Sequence, residues 1–192
     1  MKYRLAPAAL TASLLFAPAV FANDYADQLR NYAETELSNW LNDQTLLSAI
    51  AAQNADHGGL SPDDINGMDQ TWRAEVGAGE SPMIDRVLAS DASARLRSLK
   101  DSSEGLITEV FIMDNLGLNV AQSDITSDFW QGDEAKFQDT YGVGVGAIHL
   151  GDVEFDESSQ TYQSQISMTI SDPASGAAIG AITFGIDVGM FD

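Results

Sequence analysis

Cysteine is absent from the 192 residues, which excludes a disulfide framework, thiol nucleophiles, iron–sulfur clusters and zinc-thiolate sites. Positive charge is scarce. Nine Lys and Arg stand against 29 Asp and Glu, a formal net charge of −20. Such a field repels phosphate backbones and anionic membrane surfaces, so nucleic acid and lipid are poor partners. It also repels other copies of the chain, and keeps a protein soluble where salt screens the charges; a saline habitat and a generic acidic surface both fit it. Histidine occurs only at His57 and His149, far apart in sequence and without a second ligand at metal spacing. No metal and no cofactor are therefore expected.

Long apolar runs are missing too, except at the start. Lys2 and Arg4 precede an apolar stretch over Leu5 to Phe16, and Ala19 and Ala22 are the small residues nearest an A-x-A-like site. Residues 1–22 read as a signal peptide cleaved after Ala22, with an uncleaved anchor as the alternative. The stretch is broken by Pro7 and Pro18 and falls short of the roughly 20 apolar residues of a spanning helix. The mature chain is expected to be exported, periplasmic and not inserted in the membrane. It would keep 170 residues, enough for one domain with a core, and the loss of two positive charges takes −20 to −22.

Over residues 23–53, Leu29, Ala33, Leu37, Trp40, Leu41, Leu47 and Ile50 recur at spacings near three and four, which predicts one long helix. Such a helix would be longer than a small domain is wide and would offer a surface for a homodimer. Residues 54–104 read as irregular helix and loop, with Ser61-Pro62 and Ser81-Pro82 as helix starts. Residues 105–188 then change period. Strands are expected over 106–113, 118–123, 143–150, 162–170 and 178–186, the first two joined by Asp114-Asn115-Leu116-Gly117. The fold class is α+β: a long N-terminal helix and a five-stranded antiparallel sheet.

Between the second and third strands lies the most informative segment, Thr126 to Phe137. It gathers adjacent aromatics, acids, an amide and a lysine in a loop, where a sheet protein places a ligand cover. Phe129 and Trp130 offer ring faces to an apolar body or a cation, although one of two adjacent rings is expected to plug the core. Asp128 and Asp133 offer charge to an ammonium, and Gln131 offers an amide; Asp133 also suits helix capping. Lys136 suits either a carboxylate ligand or a surface pair. No nucleophile–base pair accompanies them, so no catalytic residue is assigned. Asp152, Glu154, Asp156 and Glu157 read as a solvated acidic turn.

The order of these elements, with the strings Glu109-Val110-Phe111-Ile112-Met113-Asp114-Asn115-Leu116-Gly117, Ser127-Asp128-Phe129-Trp130-Gln131-Gly132 and Gly180-Ala181-Ile182-Thr183-Phe184-Gly185-Ile186-Asp187, resembles the extracytoplasmic PAS-like sensor domains called Cache or PDC domains. The resemblance covers about residues 24–188. It implies a pocket on one face of the sheet, roofed by the loop after the second strand and walled by the helical region. The implied ligand is a small metabolite: an amino acid, an amine or a carboxylate. It adds Asp187, Trp72, Arg73 and Tyr141 as site candidates, and implies a membrane receptor or kinase as the signalling partner of a stand-alone exported module. Two other readings compete with this sensor: a hydrolase or lyase using the carboxylates of Asp128, Asp133 and Glu134, and a structural interaction subunit.

Overall fold

The structure, a computed structural model, describes residues 23–156 and 160–191. The leader expected over residues 1–22 and the end of the acidic turn lie outside them.

The expected long helix is three pieces: α1 (Ala26–Thr35), a 3-10 segment (Leu37–Asn42) and α2 (Gln44–His57). The apolar stripe lapses after Leu41, where Gln44 and Thr45 occupy the positions one turn on. Asp43 takes the opportunity to start a new helix, its carboxylate accepting from Thr45 N at 3.0 Å and Leu46 N at 3.3 Å. Arg95 clasps the corner, with Nε 2.8 Å from Asp43 and its guanidinium 4.4 Å from the Trp40 ring centre. The helix therefore folds back instead of projecting, and Leu29 and Ala33 of α1 are fully buried in the core.

Three further helices follow: α3 (Pro62–Glu75), α4 (Pro82–Leu88) and α5 (Asp91–Ser102). Ser61 and Asp64 form a reciprocal capping box ahead of α3, with proline at the first position, as its sequence predicts.

The sheet has six strands where five were expected: β1 (Ile107–Met113), β2 (Asn119–Gln122), β3 (Ile148–Leu150), β4 (Glu154–Asp156), β5 (Thr161–Ser171) and β6 (Ala178–Asp187). All pairings are antiparallel, in the order β2-β1-β6-β5-β3, with β4 also pairing β5. The third strand is shorter than its sequence suggests, because Gly144 and Gly146 adopt positive φ of 119° and 81° and turn the chain before Ile148. The extra strand is part of the acidic turn, drawn onto the exposed end of β5.

The two faces of the sheet differ in chemistry. Val110 and Ile112 of β1, Ile166, Met168 and Ile170 of β5, and Ile182, Phe184 and Ile186 of β6 pack against α1, α2 and α5 in the main core. The opposite face carries rows read directly from the register: Glu109–Gly185–Gln165, then Phe111–Thr183–Ser167–His149, then Met113–Ala181–Thr169. One end of that face is closed by the short helix α6 (Ala135–Gln138), where Phe137 packs on Phe111 and Met113 and stacks on Tyr141 at 5.0 Å. The other end is open, and it is polar.

Candidate functional site

The roof of the open end is the loop after β2, and α3 holds it. Asp69 is buried on α3, and its Oδ1 accepts the backbone N–H groups of Phe129 and Trp130 at 2.9 and 3.0 Å. Its Oδ2 accepts from Arg73 Nε at 2.6 Å, and Arg73 Nη2 reaches Asp128 at 3.1 Å. The Trp72 indole donates to the Thr126 carbonyl at 2.9 Å. These groups point to one side of α3 because positions 69, 72 and 73 are spaced by one helical turn. From below, Asn119 donates to Thr126 Oγ1 at 2.8 Å and to the Asp128 carbonyl at 3.1 Å.

This clamp decides where the aromatic groups go. Trp72 is fully buried and stacks on buried Phe129 at 5.3 Å, in a second core with Leu118, Met83, Ile84 and Val87. Trp130 is partly buried, donates its indole N–H to the Leu116 carbonyl at 2.9 Å and lies over Gly132. The tryptophan-bearing segment therefore turns its rings towards the helices. Phe129 and Trp72 are structural plugs, because a loop this polar needs an apolar anchor to stay on the sheet. Tyr141 stacks on Phe137. Asp187 lies at the end of β6, opposite Gln163 in the register, and its carboxylate accepts from Gly189 N at 3.0 Å to start the last turn. Asp133 is exposed, and the N-cap of α6 is Glu134 rather than Asp133. Gln131 alone of the nine sequence candidates lines the hollow below the loop.

That hollow has a volume of about 420 Å³. Its floor is Glu109, Phe111 and Gln165 of the open sheet face, its roof Thr126, Ser127 and Gln131, and its rim Val76 and Ile125. Lys136 and Asp156 complete it. Two neighbouring hollows, of about 360 and 310 Å³, adjoin it, the first sharing Glu109, Ile125 and Asp156 with it and the second Lys136 and Gln165, so the three run together along the face.

The floor depends on a missing side chain. A Cβ on Gly185 would stand 2.7 Å from Glu109 Cγ and 3.2 Å from Gln163 Oε1. Across that gap Gln165 Nε2 donates to Glu109 Oε1 at 3.1 Å, and Thr108 Oγ1 donates to Gln163 Oε1 at 2.6 Å. Burial pushes the Glu109 carboxyl above the ordinary glutamate range. The Gln165 hydrogen bond and the Lys136 charge oppose that shift, while Asp124 and Asp156 add to it. Lys136 Nζ is 2.9 Å from Glu134 and 3.2 Å from Gln131 Oε1, and lies 5.5 Å from the Phe111 ring centre. The carboxylates of Asp128 and Glu134 are thus each engaged by a cation.

No family model matches the chain, and no curated protein matches it. Thirty-three solved chains do. The sensor domain of the V. cholerae histidine kinase DctB is 15% identical over 85% of this chain and 57% of its own, with a TM-score of 0.39. The ligand-binding domain of the Campylobacter jejuni chemoreceptor Tlp3, in complex with 4-methylisoleucine, is 13% identical over 90% and 63%, with a TM-score of 0.40. The extracellular domain of vpHK1S-Z8 is 13% identical over 86% and 55%, with a TM-score of 0.48. The chain spans about three-fifths of the length of these structures.

Among the described residues no helix is long and apolar enough to cross a membrane, and no group of three or more His, Asp or Glu is placed to hold a metal ion. The residues that sequence reasoning passed over are those of the floor. Glu109 interrupts the apolar run of β1, and Gln163, Gln165, Ser167 and Thr169 alternate with the apolar side of β5. A strand that is apolar on one side and amide- or hydroxyl-bearing on the other marks a solvated face, and that signal was present.

Proposed function

We propose that this protein is an exported, non-catalytic sensor module of the Cache type, which binds a small metabolite in the hollow between the open sheet face and the 126–131 loop. The observation that carries this reading is the construction of the hollow. A half-buried carboxylate, an amide and a phenyl ring form its floor, and a loop clamped by α3 forms its roof. A volume of about 420 Å³ suits a small metabolite. The order of helices and strands and the polar sheet face support the resemblance seen in the sequence. The engagement of Asp128 by Arg73 and of Glu134 by Lys136 favours binding over acid–base turnover by those groups. Occupancy would change the fit of loop and α3 and so the affinity for a membrane receptor or kinase, since only a difference in affinity between two shapes transmits a signal. A homodimer through α1 would use its outer polar side, Asp27, Arg30, Asn31 and Glu34, because the apolar side is spent on the core.

The test is a thermal-shift screen of amino acids, amines and carboxylates on the wild type and on Ser127→Trp. Ser127 is exposed at the roof, so the indole fills the hollow from its mouth. A compound at a hundred times its Kd stabilises the wild type by about 2.7 kcal/mol, and the variant is expected to lose that shift while keeping its ligand-free Tm. An equal shift in both proteins places the ligand elsewhere and ends this reading.

A further inference from the structure

The hollow and its extensions are lined by Glu109, Asp124, Asp156, Glu134, Asp152 and Glu154, six carboxylates, against the two ammonium groups of Lys100 and Lys136. Both lysines are already matched. Lys136 sits on Glu134, and Lys100 holds both oxygens of Asp124 at 2.6 and 2.7 Å. Glu109, in the row of Gly185 and Gln165, receives a neutral amide from Gln165 instead of a cation contact. A carboxylate in a recess gains most from a partner that brings both positive charge and N–H donors. The second observation is at the rim. Val76 and Ile125 are 42% and 52% exposed, among the few large apolar side chains left in water, and both stand at the mouth of this hollow with Phe111 beneath. Apolar groups exposed around a polar recess mark a surface that something apolar covers.

Resting on the proposal that this hollow is the binding site, we infer that its ligand is an alkylammonium. The Glu109 carboxylate receives its N–H groups, and its hydrocarbon body lies between Phe111, Val76 and Ile125. A free carboxylate on the ligand finds no unmatched cation here. Gly185 is part of the device, since a Cβ there would press on Glu109 Cγ and Gln163 Oε1 and push the carboxylate out of its place beside the Gln165 amide. Lys136 from α6, Lys100 from α5, Asp124 after β2 and Asp156 from β4 are the charged groups around Glu109, and the carboxylates among them add to the attraction.

The test uses n-butylammonium, 1,4-butanediammonium, valerate and 1-butanol on the whole protein at 150 mM salt, read by thermal shift and calorimetry. The two ammonium ions are expected to raise Tm, and valerate and butanol to leave it unchanged. Glu109→Gln is expected to weaken the ammonium ions at least tenfold. It leaves 28 of the 29 acidic side chains in place, so diffuse charge attraction survives it. Glu109→Asp, which keeps the charge and shortens the reach, serves if the glutamine variant fails to fold, and should weaken binding by less than tenfold. Ammonium shifts that ignore both substitutions overturn the inference, as does a panel in which neither ammonium ion binds. If amino acids or carboxylates then bind and Ser127→Trp blocks them, the hollow remains the site and only its ligand class is wrong. If nothing in either panel binds, the sensor reading falls with it.

Discussion

Asp69 is the residue on which the roof depends. Its two oxygens serve Phe129 N, Trp130 N and Arg73 Nε. Asp69→Ala should cost about 2–3 kcal/mol in urea unfolding, the scale of charge-assisted hydrogen bonds lost in a buried place, and should speed amide exchange at residues 129 and 130 before any global change. A loss below about 0.5 kcal/mol would show that the loop holds itself. Glu109 adds a pH dependence of its own. Burial raises its folded value, so the folded protein keeps a proton that the unfolded chain has released. That contribution to stability is complete below the ordinary glutamate range and is lost as pH rises through the raised folded value. Wild type should therefore lose stability relative to Glu109→Gln across that window, as read by denaturation midpoints. Ammonium affinity should rise over the same window, because it needs the ionised carboxylate. Neither role was legible in the sequence. Asp69 is one of many acids on a polar helix, and what singles it out is a loop some 60 residues away.

At the scale of elements, the sequence predicted types well and lengths poorly. The capping box of α3, the Asp114–Gly117 turn and the Asp172–Gly176 turn depend on contacts within a few residues, so they are visible in the chain itself. The break between α1 and α2 is also local, yet the residues on either side are helical, and only the Asp43 cap and the lapse of the stripe announce it. Asp43→Ala removes the carboxylate that accepts from two backbone N–H groups, together with the Arg95 clasp. It should cost about 1–2 kcal/mol, measured by chemical unfolding, with the ligand shift preserved; a variant as stable as wild type would mean that packing alone sets the corner. The strand β4 was unreadable for a different reason. Two of its three residues are acidic and flank an exposed Phe155, and they are strand only because β5 is long enough to offer them an edge. Gly185 is the opposite case: a glycine inside a strand signals a close approach. Gly185→Ala should disturb Glu109 and Thr108, lower Tm and abolish ammonium binding; a variant that binds as tightly as wild type would show that the floor has room to spare.

For the whole molecule, the apolar helices on one face of the sheet and the clamped loop on the other divide stability from binding. The main core closes over β1, β5 and β6 on the helical side, so the open face is free to carry polar groups that the core does not need. The family resemblance implied a pocket on one face of the sheet under the loop after the second strand, and residues 126, 127 and 131 border a hollow on that face. Which side chains reach the hollow was not implied, since adjacent aromatic residues in a loop point wherever the nearest apolar surface lies, and here that surface is α3. The central claim is that the ligand lies between the open face and residues 126–131. The most direct test is amide chemical-shift mapping of the full protein, titrated with whichever panel compound raises Tm most. The account predicts that the largest shifts fall at Glu109, Phe111, Thr126, Gln131, Gln165 and Gly185. Largest shifts along the groove of Leu60, Met68 and Met83 between α3 and α4, with residues 109–111 and 165 unmoved, would contradict it.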